Sequence, residues 1–156
     1  MTTCCPAPDL HIHTRYCGHA GGELDAYVLH AIQMGLPEIG FAGHFPYPDG
    51  FVETVPNCVI PARDFPLFVE EALRLQSRYK ESIAIRLAAE IDFLPDFTEQ
   101  IRSALTQWPL DYVIGSVHML DGIPLSITIW RSLSPASRSW AARTGCGSVT
   151  GGRWRR

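Results

Sequence analysis

Short apolar segments alternate with segments of helical periodicity along the first 122 residues. The apolar segments predict strands at Asp9–His13, Pro37–Ala42, Ile83–Ala89 and Tyr112–Val117. Apolar residues spaced three and four apart predict helices at Glu23–Met34, Ala62–Lys80 and Phe97–Gln107. The order βαβαβαβ favours parallel strands with helices packed outside them. Four such strands do not close a barrel, so we expect either a small open α/β sheet or the first half of a larger fold.

The composition narrows the class of protein. The chain has 156 residues, 46% of them hydrophobic, which suits one globular domain with a real core. No apolar run is long enough for a membrane span, and the N-terminus lacks the features of a secretory signal, so we expect a cytoplasmic protein. The five cysteines form no C-x-x-C pair and are predicted to be free thiols.

Charge divides the chain into two predicted regions. Residues 1–122 hold all 16 acidic residues and 7 basic ones, whereas residues 123–156 hold six arginines and no acid. We predict a domain over residues 1–122 and a basic, low-order tail over residues 123–156. An Arg-rich, acid-free composition favours an out-of-frame translation. A nucleic-acid arm usually carries lysine beside arginine, and the tail has no lysine. The acidic balance of residues 1–122 also argues against a nucleic-acid partner.

Five of the six histidines lie at or just after the end of a predicted strand, together with one glutamate. These six residues are His11, His13, His19, His44, Glu90 and His118. In parallel α/β folds, catalytic groups gather at the C-terminal edge of the sheet. The sixth histidine, His30, falls inside a predicted helix and is expected to be structural.

The residue types at this edge are typical of a metal site. His11 and His13 are two apart on a strand and therefore point to the same side, where both can bind one cation. Imidazole and carboxylate together suit Zn, Mn or Fe. Asp9 and Asp92 are candidates for orienting a neighbouring imidazole. Ser116 is predicted to pack or to bond to backbone.

Other common sites are missing from the sequence. It contains no G-x-G-x-x-G loop after a strand, no Walker-type loop and no G-x-S-x-G elbow.

Five motifs occur in a fixed order along the chain. They are DLHIH (residues 9–13), YCGHA (16–20), IGFAGHFP (39–46), AEID (89–92) and DYVIGSVH (111–118). Together they resemble the PHP-domain histidinol phosphatases of histidine biosynthesis, from about Asp9 to Gly122. The resemblance implies the first half of a distorted seven-stranded, TIM-like β/α barrel with up to three divalent metals at the C-terminal ends of its strands.

The resemblance also implies roles for the site residues. His11, His13 and Glu90 would bind a first metal, His19 and His44 a second, and His118 a third that Glu90 bridges. The implied reaction is hydrolysis of a small phosphorylated amino alcohol, L-histidinol phosphate, by a metal-activated water. No membrane partner is expected, and no general acid can be named.

The sequence departs from the family pattern in two places. Gly43 stands where the family has an acid before the histidine of the second strand. The family's last Asp and His ligands and a phosphate-binding Arg come from strands beyond the start of the tail, so the site is expected to be incomplete. The alternatives are an inactive fragment or residual metal binder, and a PHP-type or amidohydrolase-type hydrolase with another substrate.

Overall fold

Four parallel strands form one sheet and follow one another across it in chain order. The structure is a computed structural model and describes residues 6–52, 58–120 and 123–124. The strands are β1 (Asp9–Ile12), β2 (Glu38–His44), β3 (Ala84–Asp92) and β4 (Tyr112–Ser116). Three helices connect them: α1 (Leu24–Gln33), α2 (Phe65–Arg78) and α3 (Thr98–Leu105). The predicted βαβαβαβ order is therefore confirmed.

Both central strands extend further than the sequence predicts. β2 ends at His44 and β3 at Asp92, whereas the predicted strands end at Ala42 and Ala89. The parallel ladder pairs His44 with Glu90, so main-chain bonding continues through both polar residues. The predicted ends were wrong because backbone pairing depends on the neighbouring strand and not on the polarity of the side chain.

A short antiparallel pair that the sequence did not predict follows β4. It joins β5 (Met119–Leu120) to β6 (Ile123–Pro124), on either side of the predicted boundary at residue 122. Residues 125–156, which hold nearly all of the predicted tail, lie outside the described residues.

The apolar core lies between the central strands and the first two helices. Phe41 on β2 and Leu87 on β3 are fully buried, and both belong to one cluster with residues of α1 and α2. The largest helical contributors to this cluster are Leu24, Phe65, Phe68 and Leu75. None of the helices in the described part of the chain has the length and apolar character needed to cross a membrane.

The sheet is strongly curled. The Tyr112 hydroxyl on β4 donates a 2.5 Å hydrogen bond to the Leu10 carbonyl on β1, three strands away. In a flat sheet, strands about 4.8 Å apart would place β1 and β4 about 14 Å from each other, beyond the reach of a tyrosine. The phenol passes over Gly40 of β2, where an added Cβ would lie 1.9 Å from its oxygen. Gly40 is therefore required for this close approach.

Candidate metal centre

The buried carboxylate of Glu90 is the centre of the histidine cluster at the C-terminal edge of the sheet. Its Oε2 lies 3.0 Å from His11 Nε2, 3.2 Å from His13 Nε2 and 3.3 Å from His44 Nδ1. Its other oxygen, Oε1, lies 3.5 Å from His118 Nε2. Glu90 is only 4% exposed. A buried carboxylate needs charged or hydrogen-bonding partners, and the imidazoles are placed to supply them.

His19 reaches the same cluster from the loop after β1. A one-turn 3-10 helix (Arg15–Cys17) ends at Gly18, whose φ of 75° turns the chain back towards the sheet. The His19 ring centroid lies 5.0 Å from that of His13 and 5.2 Å from that of His44. Its Nδ1 is 3.0 Å from the Cys17 carbonyl oxygen. A carbonyl only accepts, so Nδ1 carries the proton and Nε2 keeps its lone pair for a ligand.

The ligand atoms fall into three overlapping groups. Within each group, they all lie within 4.8 Å of one another. The groups are His11, His13 and Glu90; His13, His19 and His44; and His44, Glu90 and His118. The structure therefore brings all six predicted ligands together. The three groups include the ligand sets that the family resemblance implies.

The donor set fits divalent cations. The Nε2 atoms of His11 and His13 lie 3.1 Å apart, and both face the same oxygen of Glu90. Two imidazole nitrogens and a carboxylate oxygen converging in this way are a common ligand set for zinc and similar metals. In addition, Nδ1 of His13 is buried and lacks a hydrogen-bond partner among the described residues. A cation among these atoms would take up lone pairs that otherwise face one another.

Burial keeps part of the cluster in the form that binds a metal. Burial lowers the pKa of His44 to about 4, although the charge of Glu90 acts in the opposite direction. The pKa of His13 is lowered for the same reason. For Glu90, burial acts to raise the pKa, but hydrogen bonds from Ser116 and His11 outweigh it and lower the pKa. At neutral pH, His13 and His44 are thus neutral and Glu90 is ionised, as ligation requires.

Ser116 lies in the site, although its position at the end of β4 predicted packing or a backbone bond. Its hydroxyl donates to Oε1 of Glu90. The sequence does hold a signal for this contact. Side chains two residues apart on an extended chain point to the same side, so Ser116 and His118 face the same way.

The two candidate orienting acids occupy different positions. The Asp92 carboxylate accepts from His118, with Oδ1 2.6 Å from Nδ1, and its Oδ2 accepts a 3.1 Å hydrogen bond from the Tyr47 hydroxyl. Asp9 instead accepts from the backbone N–H of His11 at 3.2 Å. Sequence reasoning missed Tyr47 because nothing in a loop of prolines and glycines marks it.

Gly43 has a structural explanation. A Cβ at this position would lie 2.6 Å from Ile60 Cδ1 and 3.3 Å from Cys17 Sγ. The space that a side chain would occupy, beside His44, is therefore filled by apolar atoms.

His30 lies on the exposed side of α1 and belongs to none of the three groups.

Comparison with known proteins identifies the family. A family model described as the PHP domain matches residues 9–144. The chain belongs to the PHP domain family. Two similar curated proteins are the Bacillus subtilis histidinol-phosphatase, 32% identical over 117 residues, and a Schizosaccharomyces pombe protein named probable histidinol-phosphatase, 32% identical over 132 residues. These alignments cover 72% and 78% of this chain, and 44% and 42% of the relatives. This PHP domain chain therefore spans less than half the length of the curated relatives it matches.

Solved structures share the fold. A Listeria monocytogenes crystal structure matches with a TM-score of 0.66 at 24% identity, covering 72% of this chain and 45% of that one. The Lactococcus lactis histidinol phosphate phosphatase, solved with zinc, L-histidinol and phosphate, matches with a TM-score of 0.61 at 28% identity. That match covers 75% of this chain and 42% of the Lactococcus protein. The prediction of a partial TIM-like PHP barrel is confirmed.

Proposed function

We propose that this PHP domain binds divalent metals and takes part in hydrolysing L-histidinol phosphate to L-histidinol and phosphate. The observation that carries the proposal is the convergence of four imidazoles on one buried carboxylate at the C-terminal edge of a parallel sheet, with His19 beside two of them. The names of the relatives, and the zinc, L-histidinol and phosphate in the Lactococcus lactis structure, support this substrate. All six candidate ligands lie within the predicted 1–122 domain.

The three groups provide for up to three metals, with zinc the first candidate because nitrogen donors predominate. Metals bound at such a site supply positive charge to phosphate oxygens and lower the pKa of water. Glu90 belongs to two of the groups, so its single negative charge serves two of the proposed sites. Ser116 holds one oxygen of Glu90 and leaves the other facing three imidazoles.

The chain's own residues also limit which protons can move at the site. Because burial lowers the pKa of His13 and His44, neither is a proton donor at neutral pH. Their role in the proposed reaction is to bind and to position. Asp92 holds the proton of His118 on Nδ1, so Nε2 is the atom that faces Glu90.

Phosphate release from L-histidinol phosphate tests the proposal. The purified chain, supplied with Zn²⁺ or Mn²⁺, should release inorganic phosphate, and a chelator should stop the release until metal is restored. His30→Gln, which changes an exposed histidine outside the cluster, should retain the activity. Glu90→Gln should lose it. Equal release by the wild-type and Glu90→Gln chains would overturn the proposal.

A further inference from the structure

A chain of hydrogen bonds leads from the loop after β2 to the histidine cluster. The Tyr47 hydroxyl donates to Oδ2 of Asp92 at 3.1 Å, and Oδ1 of Asp92 faces His118 Nδ1 at 2.6 Å. The backbone N–H of His118 also donates to Oδ1, at 3.3 Å. Both oxygens of the Asp92 carboxylate are therefore engaged, one by Tyr47 and the other by His118. This side chain is only 6% exposed, so water cannot readily replace a lost partner.

The local sequence holds Tyr47 in place. Pro46 and Pro48 flank it; each proline restricts its own φ, and Pro48 also disfavours helical backbone at Tyr47. The Tyr47 ring contacts Phe51, with centroids 4.4 Å apart, and Phe51 in turn contacts Phe97 at 5.9 Å. A side chain held by its backbone and by neighbouring rings loses little conformational entropy when it forms a hydrogen bond.

We propose that Tyr47 is a positioning residue for His118. By donating to Oδ2, it fixes the rotation of the Asp92 carboxylate so that Oδ1 receives the proton of His118 Nδ1. This fixes the tautomer and the ring direction of His118, and Nε2 keeps its lone pair towards Glu90, 3.5 Å away. The inference rests on the proposed function insofar as it assigns His118 to a metal site.

The first test measures the tautomer of His118 in the metal-free chain. Nitrogen NMR at a pH where the ring is neutral reports which nitrogen carries the proton. The wild-type chain should show His118 protonated at Nδ1, and Tyr47→Phe should shift it towards a mixture with Nε2–H. The matched control is Tyr79→Phe, because the Tyr79 hydroxyl also donates to an aspartate, Asp25 at 3.0 Å, between α2 and α1. It should leave His118 unchanged.

The second test measures Zn²⁺ affinity by competition with a chelator of known affinity. Removing a partner of a metal-ligating histidine costs about 10–100-fold in metal affinity. Tyr47 is one hydrogen bond further from His118 than Asp92 is. Tyr47→Phe should therefore weaken zinc binding at the site that contains His118 by about tenfold, at the lower end of that range. In an Asp92→Ala background, the same change should add less than about twofold, because its route to His118 is already gone.

The outcomes separate this inference from the proposed function. If the wild-type chain takes up no zinc, the proposed function fails, and the tautomer in the metal-free chain still decides the role of Tyr47. If the wild-type chain binds zinc but Tyr47→Phe matches it in both tautomer and affinity, the positioning role is overturned and the metal site stands. An equal loss with Tyr79→Phe would also overturn the positioning role.

Discussion

The two central strands and the two edge strands of the sheet all place candidate metal ligands at or just after their C-terminal ends, but they differ in burial. On β2, five consecutive residues from Ile39 to Gly43 are buried, and on β3 four consecutive residues from Leu87 to Glu90 are buried. No residue of β1 or β4 is fully buried, and Val113 on β4 is 51% exposed. His44 and Glu90 therefore stand on strands fixed by packing and by neighbours on both sides.

The candidate ligands on or just after the edge strands are held differently. His11, His13 and His118 are positioned mainly through polar contacts with Glu90 and Asp92. The comparison indicates that packing fixes the central strands, which supply the rigid part of the site. At the edge strands, side-chain hydrogen bonds position the site residues instead.

The largest difference is expected from truncating an apolar side chain. Phe41→Ala on β2 should lower the free energy of unfolding by about 3–5 kcal/mol, because it opens a cavity in the core. Val113→Ala on β4 removes a half-exposed side chain and should cost within about 0.5 kcal/mol. Urea denaturation of both variants measures the difference. Similar losses would show that β4 is packed as tightly as β2, which would remove the basis of the comparison.

Acid should destabilise the metal-free chain through His44. Its pKa is about 4 in the folded state and near 6.5 when unfolded, so the unfolded chain takes up the proton first as the pH falls. This contribution to stability is intact above pH 6.5 and is lost as the pH falls towards 4. We expect a loss of about 2 kcal/mol between pH 7 and pH 5 from this group.

Urea denaturation in the presence of a chelator, at both pH values, measures that loss. His44→Gln should reduce the pH dependence, whereas His30→Gln on the exposed side of α1 should leave it as in the wild type. An unchanged slope in His44→Gln would contradict the buried, neutral state of His44.

The smallest difference in stability is expected between alanine substitutions at two glycines, Gly43 on β2 and Gly115 on β4. Each is the second-last residue of its strand. Gly43→Ala on β2 would place a Cβ 2.6 Å from Ile60 Cδ1, and overpacking of this kind should cost about 1 kcal/mol or more. At Gly115 on β4, an added Cβ meets nothing within 4 Å, so Gly115→Ala should be neutral or stabilising by about 0.5 kcal/mol. Thermal unfolding of the two variants checks this, and the opposite order would show that the centre is looser than the edge.

The sequence predicted the order of strands and helices along the chain and all six members of the cluster, because apolar segments, helical spacing and polar residues at strand ends depend only on local sequence. The ends of β2 and β3 could not be predicted, since the ladder that pairs His44 with Glu90 depends on the neighbouring strand. The contact between Tyr47 and Asp92 joins residues 45 apart and left no local signal. The same is true of Ile60 filling the space beside Gly43.

The zinc content of the purified chain, measured by plasma mass spectrometry on a monodisperse size-exclusion peak, decides whether a metal centre forms around Glu90. Because two of the three ligand groups contain Glu90 and the third shares His13 and His44 with them, the wild-type chain should hold more than one zinc ion, and Glu90→Gln should lose most of it. His30→Gln should match the wild type. A wild-type chain without zinc, or equal zinc content in Glu90→Gln, would contradict the account of a metal centre built around Glu90.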